Sequence, residues 1–281
     1  MPGSIKALRL QNLILGGGFT AAQLETELSN ARAAGAFEAS LRQRSVVSVI
    51  KNSSAAMAIA AGSPKAIAAI LRQDTSIFSA IAADSAASAV MTSSASVMNY
   101  VAANSAARAL IGTSGAIYNV IASASLSLGK YLAAIAGLDP VAYADMAAVV
   151  ASSTAKTAIY NSDTALNLIS GSTLAMAACR AAAQYSVKTV TENGTTSVSL
   201  SWGGGPYIVL GYSRAVTSVR TATLTTLRPG SSILASIPSG GTNNAIAQDA
   251  NVAIPVTGPL TFKLDGTGTN SSYLGALRCD I

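Results

Sequence analysis

The sequence predicts an α+β protein: an N-terminal stack of short, alanine-rich capped helices, then a C-terminal antiparallel β-sandwich or jelly-roll-like domain. Three observations predict it. From Ser54 to about Ser123 the chain repeats roughly every ten residues, a polar cap residue leading an Ala-rich run that holds one larger apolar anchor. The anchors read as Ile59, Ile70, Ile81, Val90, Val101, Leu110 and Val120, with an echo at Val149, Ile159 and Ile169. Repetition at a short period marks a chain built by stacking one small unit. The junctions carry helix punctuation: Gly62-Ser63-Pro64 places a glycine, a capping serine and a proline in the order helix termini prefer. At about Ser186 the texture switches to alternating β-branched runs separated by Gly-rich turns. The expected division is 1–44, a docking arm with helices; 45–185, the helical repeats; and 186–281, the β-domain.

Taken in order, residues 1–19 read as a short strand or extended arm closed by Gly16-Gly17-Gly18. Thr20 is placed to cap a helix through Glu25, and a second helix holds Phe37 and Leu41. Asp74, Asp84, Asn104, Ser114 and Asp163 stand at repeat junctions, each able to accept orphan N–H groups of a helix start. Short helices in zigzag follow, not a coiled coil, because the anchor spacing of 9 to 11 residues does not fit a 3.5-residue period. Asp139-Pro140 marks a turn between two repeat blocks. Beyond Ser186, Asn193-Gly194 between alternating runs predicts a hairpin. Further strands are expected over Tyr207–Tyr212, Val216–Leu227, Ile233–Ile237, Val252–Val256 and Leu260–Leu264.

Composition bounds the function. Half of the chain is hydrophobic, yet only 5% is aromatic and 11% charged, against about a quarter charged in ordinary globular chains. Either sister subunits cover much of the surface, or Ser, Thr and Asn keep it wet; the first predicts an obligate assembly. The net charge of +6 is dispersed and interleaved with acids, without the basic stripe and aromatic platforms of a nucleic-acid binder. Residues 85–107 and 109–129 carry no charge but are too rich in hydroxyls and amides for a membrane span. The first 19 residues lack the apolar core of a secretory signal.

The chain has no histidine, which removes the commonest general base and metal ligand. Cys179 and Cys279 are the only cysteines; they read as unmodified thiols or as a single bridge. Ser-x-x-Lys occurs at Ser127/Lys130 and Ser153/Lys156 without the companion motifs of penicillin-binding enzymes. The acids Glu192, Asp249, Asp265 and Asp280 sit beside turns or near position 281, unlike a glycosidase pair. No catalytic, cofactor-binding or metal-binding residue is expected. Trp202, Tyr207, Tyr212 and Tyr273 are the candidates for surface recognition, because aromatic faces stack on sugars; the competing role is packing in a core or seam.

The repeats resemble those of tail-fibre and related appendage proteins of tailed bacteriophages. The likeness rests on Ser53-Ser54-Ala55-Ala56-Met57-Ala58-Ile59, Ser94-Ala95-Ser96-Val97-Met98-Asn99-Tyr100-Val101 and Ser152-Ser153-Thr154-Ala155-Lys156-Thr157-Ala158-Ile159. It covers about half of the chain, and the repeats here are less regular than in the most regular members. The resemblance implies a non-enzymatic virion component, assembled in the bacterial cytoplasm and oligomeric, with a trimer favoured. Its N-terminal region would dock onto other virion proteins and its β-domain would face outward. A receptor- or glycan-binding module for host attachment is the alternative, and a membrane-active injected protein a third.

Overall fold

A computed structural model describes residues 12–14, 16–73, 77–194, 198–202, 204–215, 221–224, 228–233, 236–237, 252–257, 260–265 and 268–281. For residues 44–45, 188–194, 198–202, 212–215, 221–224, 236–237, 260–265 and 268–274 the description is of the backbone alone. The chain divides into two compact units, residues 1–131 and 132–281.

The first unit is helical. Its helices are α1 (Ala21–Leu28), α2 (Ala31–Leu41), α3 (Arg44–Asn52), α4 (Ser54–Ala61) and α5 (Pro64–Gln73). They continue as α6 (Phe78–Ala83), α7 (Ser85–Ser93), α8 (Ala95–Ala103), α9 (Ser105–Ile111) and α10 (Ala116–Ile121), and α11 (Ser125–Ile135) runs across the division. Residues 12–14 are helical, which corrects the strand expected there; the earlier part of that arm and Asp74 lie outside the described residues.

Single cap residues build the repeat. Asp84 ends α6 and starts α7 with φ −96° and ψ 119°, an extended residue between two helices. Ser94 and Asn104 do the same for α7–α8 and α8–α9. Each side chain then accepts the orphan N–H three residues on: Asp84 from Ala87 at 2.8 Å, Asn104 from Ala107 at 3.1 Å. Thr20 is the N-cap expected of it, and beyond that it forms a full capping box with Gln23. Ser114 does not cap; Gly115, at φ 93°, starts α10 without a side-chain bond.

Two-turn helices joined this abruptly must change direction. α4 and α5 diverge by 119° across Gly62-Ser63, and three bends of that size come close to a full turn. Packing follows the same count: α1 lies on α4, α4 on α7 and α7 on α10, while α2 lies on α5 and α5 on α8. The first unit is therefore a solenoid with about three helices per coil. No single helix among the described residues is long and apolar enough to cross a membrane.

The core has a register that the anchor spacing misses. After the caps Ser53, Ser63, Asp84, Asn104 and Ser162 the third residue is a buried alanine (Ala56, Ala66, Ala87, Ala107, Ala165), and after Ser63, Asp84, Ser94, Asn104 and Ser162 the seventh is a larger buried residue (Ile70, Met91, Val101, Ile111, Ile169); Val97 takes the third place after Ser94, and the helix that Thr20 caps does not follow this count. The alanine lets the neighbouring coil approach; the larger residue fills the space beyond. Ile70, Ile81, Val101, Val149, Ile159 and Ile169 are buried as expected, but Ile59, Val90 and Val120 are half-buried and Leu110 is 46% exposed.

Gly62 shows how close the coils come. Its φ of −77° is ordinary helical backbone, so no left-handed turn requires glycine here; a β-carbon would sit 2.0 Å from the β-carbon of Ala21. Gly62→Ala gains about 0.4–1 kcal/mol from the unfolded chain but forces α1 and α4 apart, which costs about 1–3 kcal/mol. The clash wins, and urea denaturation should show a net loss.

In the second unit the helices are α12 (Met146–Ala151), α13 (Ser153–Tyr160), α14 (Asp163–Ser170) and α15 (Thr173–Ala181), preceded by a 3₁₀ turn at Pro140–Ala142 that Asp139 caps. Ser152, Ser162 and Ser172, ten residues apart, cap the last three. α12 lies on α15, the same third-neighbour contact.

The strands are β1 (Tyr185–Gly194), β2 (Val198–Trp202), β3 (Pro206–Ala215), β4 (Thr221–Leu224), β5 (Ser236–Ile237), β6 (Ile254–Thr257), β7 (Leu260–Asp265) and β8 (Gly268–Arg278). They form two antiparallel four-stranded sheets, β1-β8-β3-β6 and β2-β7-β4-β5. The architecture is α+β. β1 and β2 belong to different sheets, so Asn193-Gly194 does not make the expected hairpin; both residues pair with β8. β8, between β1 and β3, answers to no strand in the sequence reading, because Gly268 to Ser272 lacks β-branched alternation. Its Gly275 leaves room for Tyr185, whose hydroxyl would meet an added β-carbon at 2.1 Å.

β1 and β3 pack on α15, and β3 on α13, so the first sheet covers the last coil of helices. The change of texture near Ser186 marks the start of β1, whereas the division between compact units falls at Tyr131/Leu132.

Candidate functional site

The residues singled out in the sequence do not converge on a reaction centre. Ser127 and Lys130 are both buried, and the Ser127 hydroxyl donates to the Ile121 carbonyl at 2.6 Å, which commits it to the backbone. Ser153 is exposed while Lys156 is 1% exposed. Among the described residues no group of three or more His, Cys, Asp or Glu is placed to hold a metal.

The aromatic quartet is divided. Trp202 stands on β2 in one sheet, and Tyr207, Tyr212 and Tyr273 on β3 and β8 in the other. Tyr207 is 4% exposed, opposite Val256 of β6 and Arg278 of β8, so its ring is packed inside and presents no face for stacking. The side chains of Trp202, Tyr212 and Tyr273 lie outside the described residues.

Two polar clusters of the second unit went unnoticed in the sequence. The first surrounds Asp163. It was expected to cap a helix, but Ser162 caps α14 and Asp163 occupies its first turn. Its carboxylate accepts from the Arg228 guanidinium, the Ser231 hydroxyl at 3.0 Å, and the Ser232 N–H and hydroxyl, both at 2.8 Å. These donors, the Ser232 N–H first, hold the carboxyl below its ordinary range. Arg228 also donates to the Tyr160 carbonyl and stacks 5.6 Å from that ring's centre. One carboxylate thus clamps the 228–233 segment onto α13 and α14.

The second cluster surrounds Lys156. Its ammonium donates to Gln184 Oε1 at 3.0 Å and to the main-chain oxygen of Ile281 at 2.5 Å. Thr157 Oγ1 donates to the Cys279 carbonyl at 3.2 Å. Burial lowers the Lys156 pKa, and burial pushes the Cys279 thiol up to about 12 despite the opposing pull of Lys156. Cys179, fully enclosed, is likewise pushed up to about 12. Both cysteines are free, and such thiols stay protonated and inert near neutral pH. This unit also carries an open groove of about 310 Å³ lined by Ala147, Val150, Ala151, Ala178, Ala181, Ala182, Ala183 and Gln184. Apart from Gln184, whose side-chain oxygen already accepts from Lys156, its lining is apolar.

Fold and clusters together define a class: in the first unit a solenoid of two-turn capped helices, and in the second a coil of such helices covered by antiparallel strands. The chain matches no model of a known protein family, and no characterised protein is significantly similar to it in sequence.

Proposed function

We propose that this chain is a non-enzymatic structural component of a bacteriophage virion, a tail fibre, baseplate or head appendage, that works as a homo-oligomer, most simply a trimer. The observation that carries this reading is the bare outer face of the solenoid. On α7, α8 and α9 the exposed residues are small ones such as Ser85, Ala86, Ala89, Ala95 and Ser96, with Leu110 the one large apolar exception, and no charge occurs between Asp84 and Arg108. Small uncharged residues let another backbone approach closely and cost little to desolvate, whereas solvated helical faces are ordinarily charged. The likeness of the repeats to those of phage appendage proteins supports the setting.

In this reading the N-terminal helices dock onto the particle, the solenoid is a spacer, and the two sheets face each other as a jelly-roll-like sandwich turned outward. The module has no cofactor. Size-exclusion chromatography with light scattering tests the assembly, and electron microscopy of the product shows its form. A mass of three times 28.1 kDa, in particles of one elongated shape, is the expected result. A well-behaved monomer at micromolar concentration removes the proposal.

A further inference from the structure

We propose that the open edge of β1 is an interaction surface for a second copy of this chain, whose own β1 pairs with it antiparallel about a two-fold axis at Val190. The inference is independent of the trimer reading, because a two-fold contact neither supplies nor needs a three-fold one.

β1 is a sheet edge of ten residues, paired on one side with β8. Among the described residues no strand lies on its other side. Two bonds fix which backbone groups point that way. The Arg278 N–H donates to the Gln184 carbonyl at 3.2 Å, whereas the Cys279 N–H donates to the Pro206 carbonyl at the start of β3 at 3.0 Å. In the register of β1 on β8, even-numbered residues of β1 therefore turn their N–H and C=O groups to β8. Val187, Thr189, Thr191 and Asn193 turn theirs to the open edge. Val187 is also 49% exposed, rare among the large apolar residues described. Such an edge is a template for another strand.

The residues of the edge select the occupant. Lys188 and Glu192 flank Val190 symmetrically. Across the ladder they stand opposite Leu274 and Asn270, and β8 holds no charged residue before Arg278, so β8 answers neither charge. In a pairing centred on Val190, Lys188 of each copy stands opposite Glu192 of the other. The same register sets Val187 opposite Asn193 and Thr189 opposite Thr191, so every outward residue meets another outward residue and the backbone bonds close. Centring on Lys188 or Glu192 sets like charges face to face; centring on Thr189 or Thr191 leaves both charges unanswered. Opposite charges and Thr–Thr pairs directly across a ladder are favourable, and like charges are not. A strand complementary to its own reverse fits an isologous contact.

Sedimentation equilibrium on the full chain tests this. The particle present at low concentration should double in mass as concentration rises toward millimolar. Doubling from one chain or from three counts alike, so the trimer reading is judged separately. Lys188→Glu should weaken the doubling by about tenfold, and Lys188→Glu combined with Glu192→Lys should restore it. Val190→Cys, oxidised with glutathione disulfide, should give chains linked in pairs, because opposite residues of this kind have Cα atoms about 4.5 Å apart, within disulfide reach. A mass that never doubles overturns the proposal. So does a Lys188→Glu chain that doubles like the native one, or a double exchange that does not restore doubling. Should a charge variant fail to fold, Val190→Cys decides: linked pairs support the contact, and their absence overturns it.

Discussion

Ile111→Ala is expected to destabilise the chain by about 2–5 kcal/mol, whereas Leu110→Ala, one residue away, should change it by less than about 0.5 kcal/mol. The two residues are isomers and share α9, and their helix propensities differ by only roughly a few tenths of a kcal/mol, too little to separate them. Burial does: Ile111 is 1% exposed and Leu110 46%. Ile111 stands seven residues after the cap Asn104, the position taken by Ile70, Met91 and Val101 in other repeats. Deleting its side chain removes apolar area and leaves a cavity between coils that cannot collapse without breaking the repeat. Guanidinium denaturation of the two variants checks this. Equal losses would mean that the spacing of large residues, and not the count from the cap, sets the register.

Asp163→Ala carries the second large effect, about 2–4 kcal/mol, between the value of a fully buried ion pair broken on one side and that of charge-assisted hydrogen bonds in partial solvent. The carboxylate and guanidinium are 23% and 12% exposed, so the pair is screened in part. Alanine leaves Arg228, Ser231 and Ser232 with unmet donors at once. The sign of the pH dependence follows from the lowered carboxyl pKa. The contribution is fully present above the ordinary value of 3.8 and is lost as pH falls through the lower folded value. The wild-type thermal midpoint should therefore fall below about pH 4, and less steeply in Asp163→Ala. Because the chain has no histidine, the midpoint should be nearly flat from about pH 5 to 8.

Local rules made the helices legible. Asp84, Asn104 and the Gly62-Ser63-Pro64 junction announce starts and stops because capping is a short-range bargain between one side chain and the N–H groups just after it. Gly62 shows where such reading ends. Its place after a helix suggested a conformational role, but what it provides is clearance for Ala21, a residue 41 positions away. Asp163 likewise sits where a cap belongs, yet its partners lie 65 to 69 residues downstream. The aromatic candidates were chosen by type, and burial of Tyr207 depends on which strands flank β3.

By itself the sequence determined the α-then-β order, the two-turn helices, their caps and a long uncharged stretch between Asp84 and Arg108, all consequences of residue type and near neighbours. Tertiary structure alone decided the third-neighbour coil, the place of β8 between β1 and β3, and the enclosure of Lys156. Those depend on contacts between residues far apart in the chain. Such contacts are chosen by how surfaces fit once helices and strands exist, and no local pattern encodes that fit.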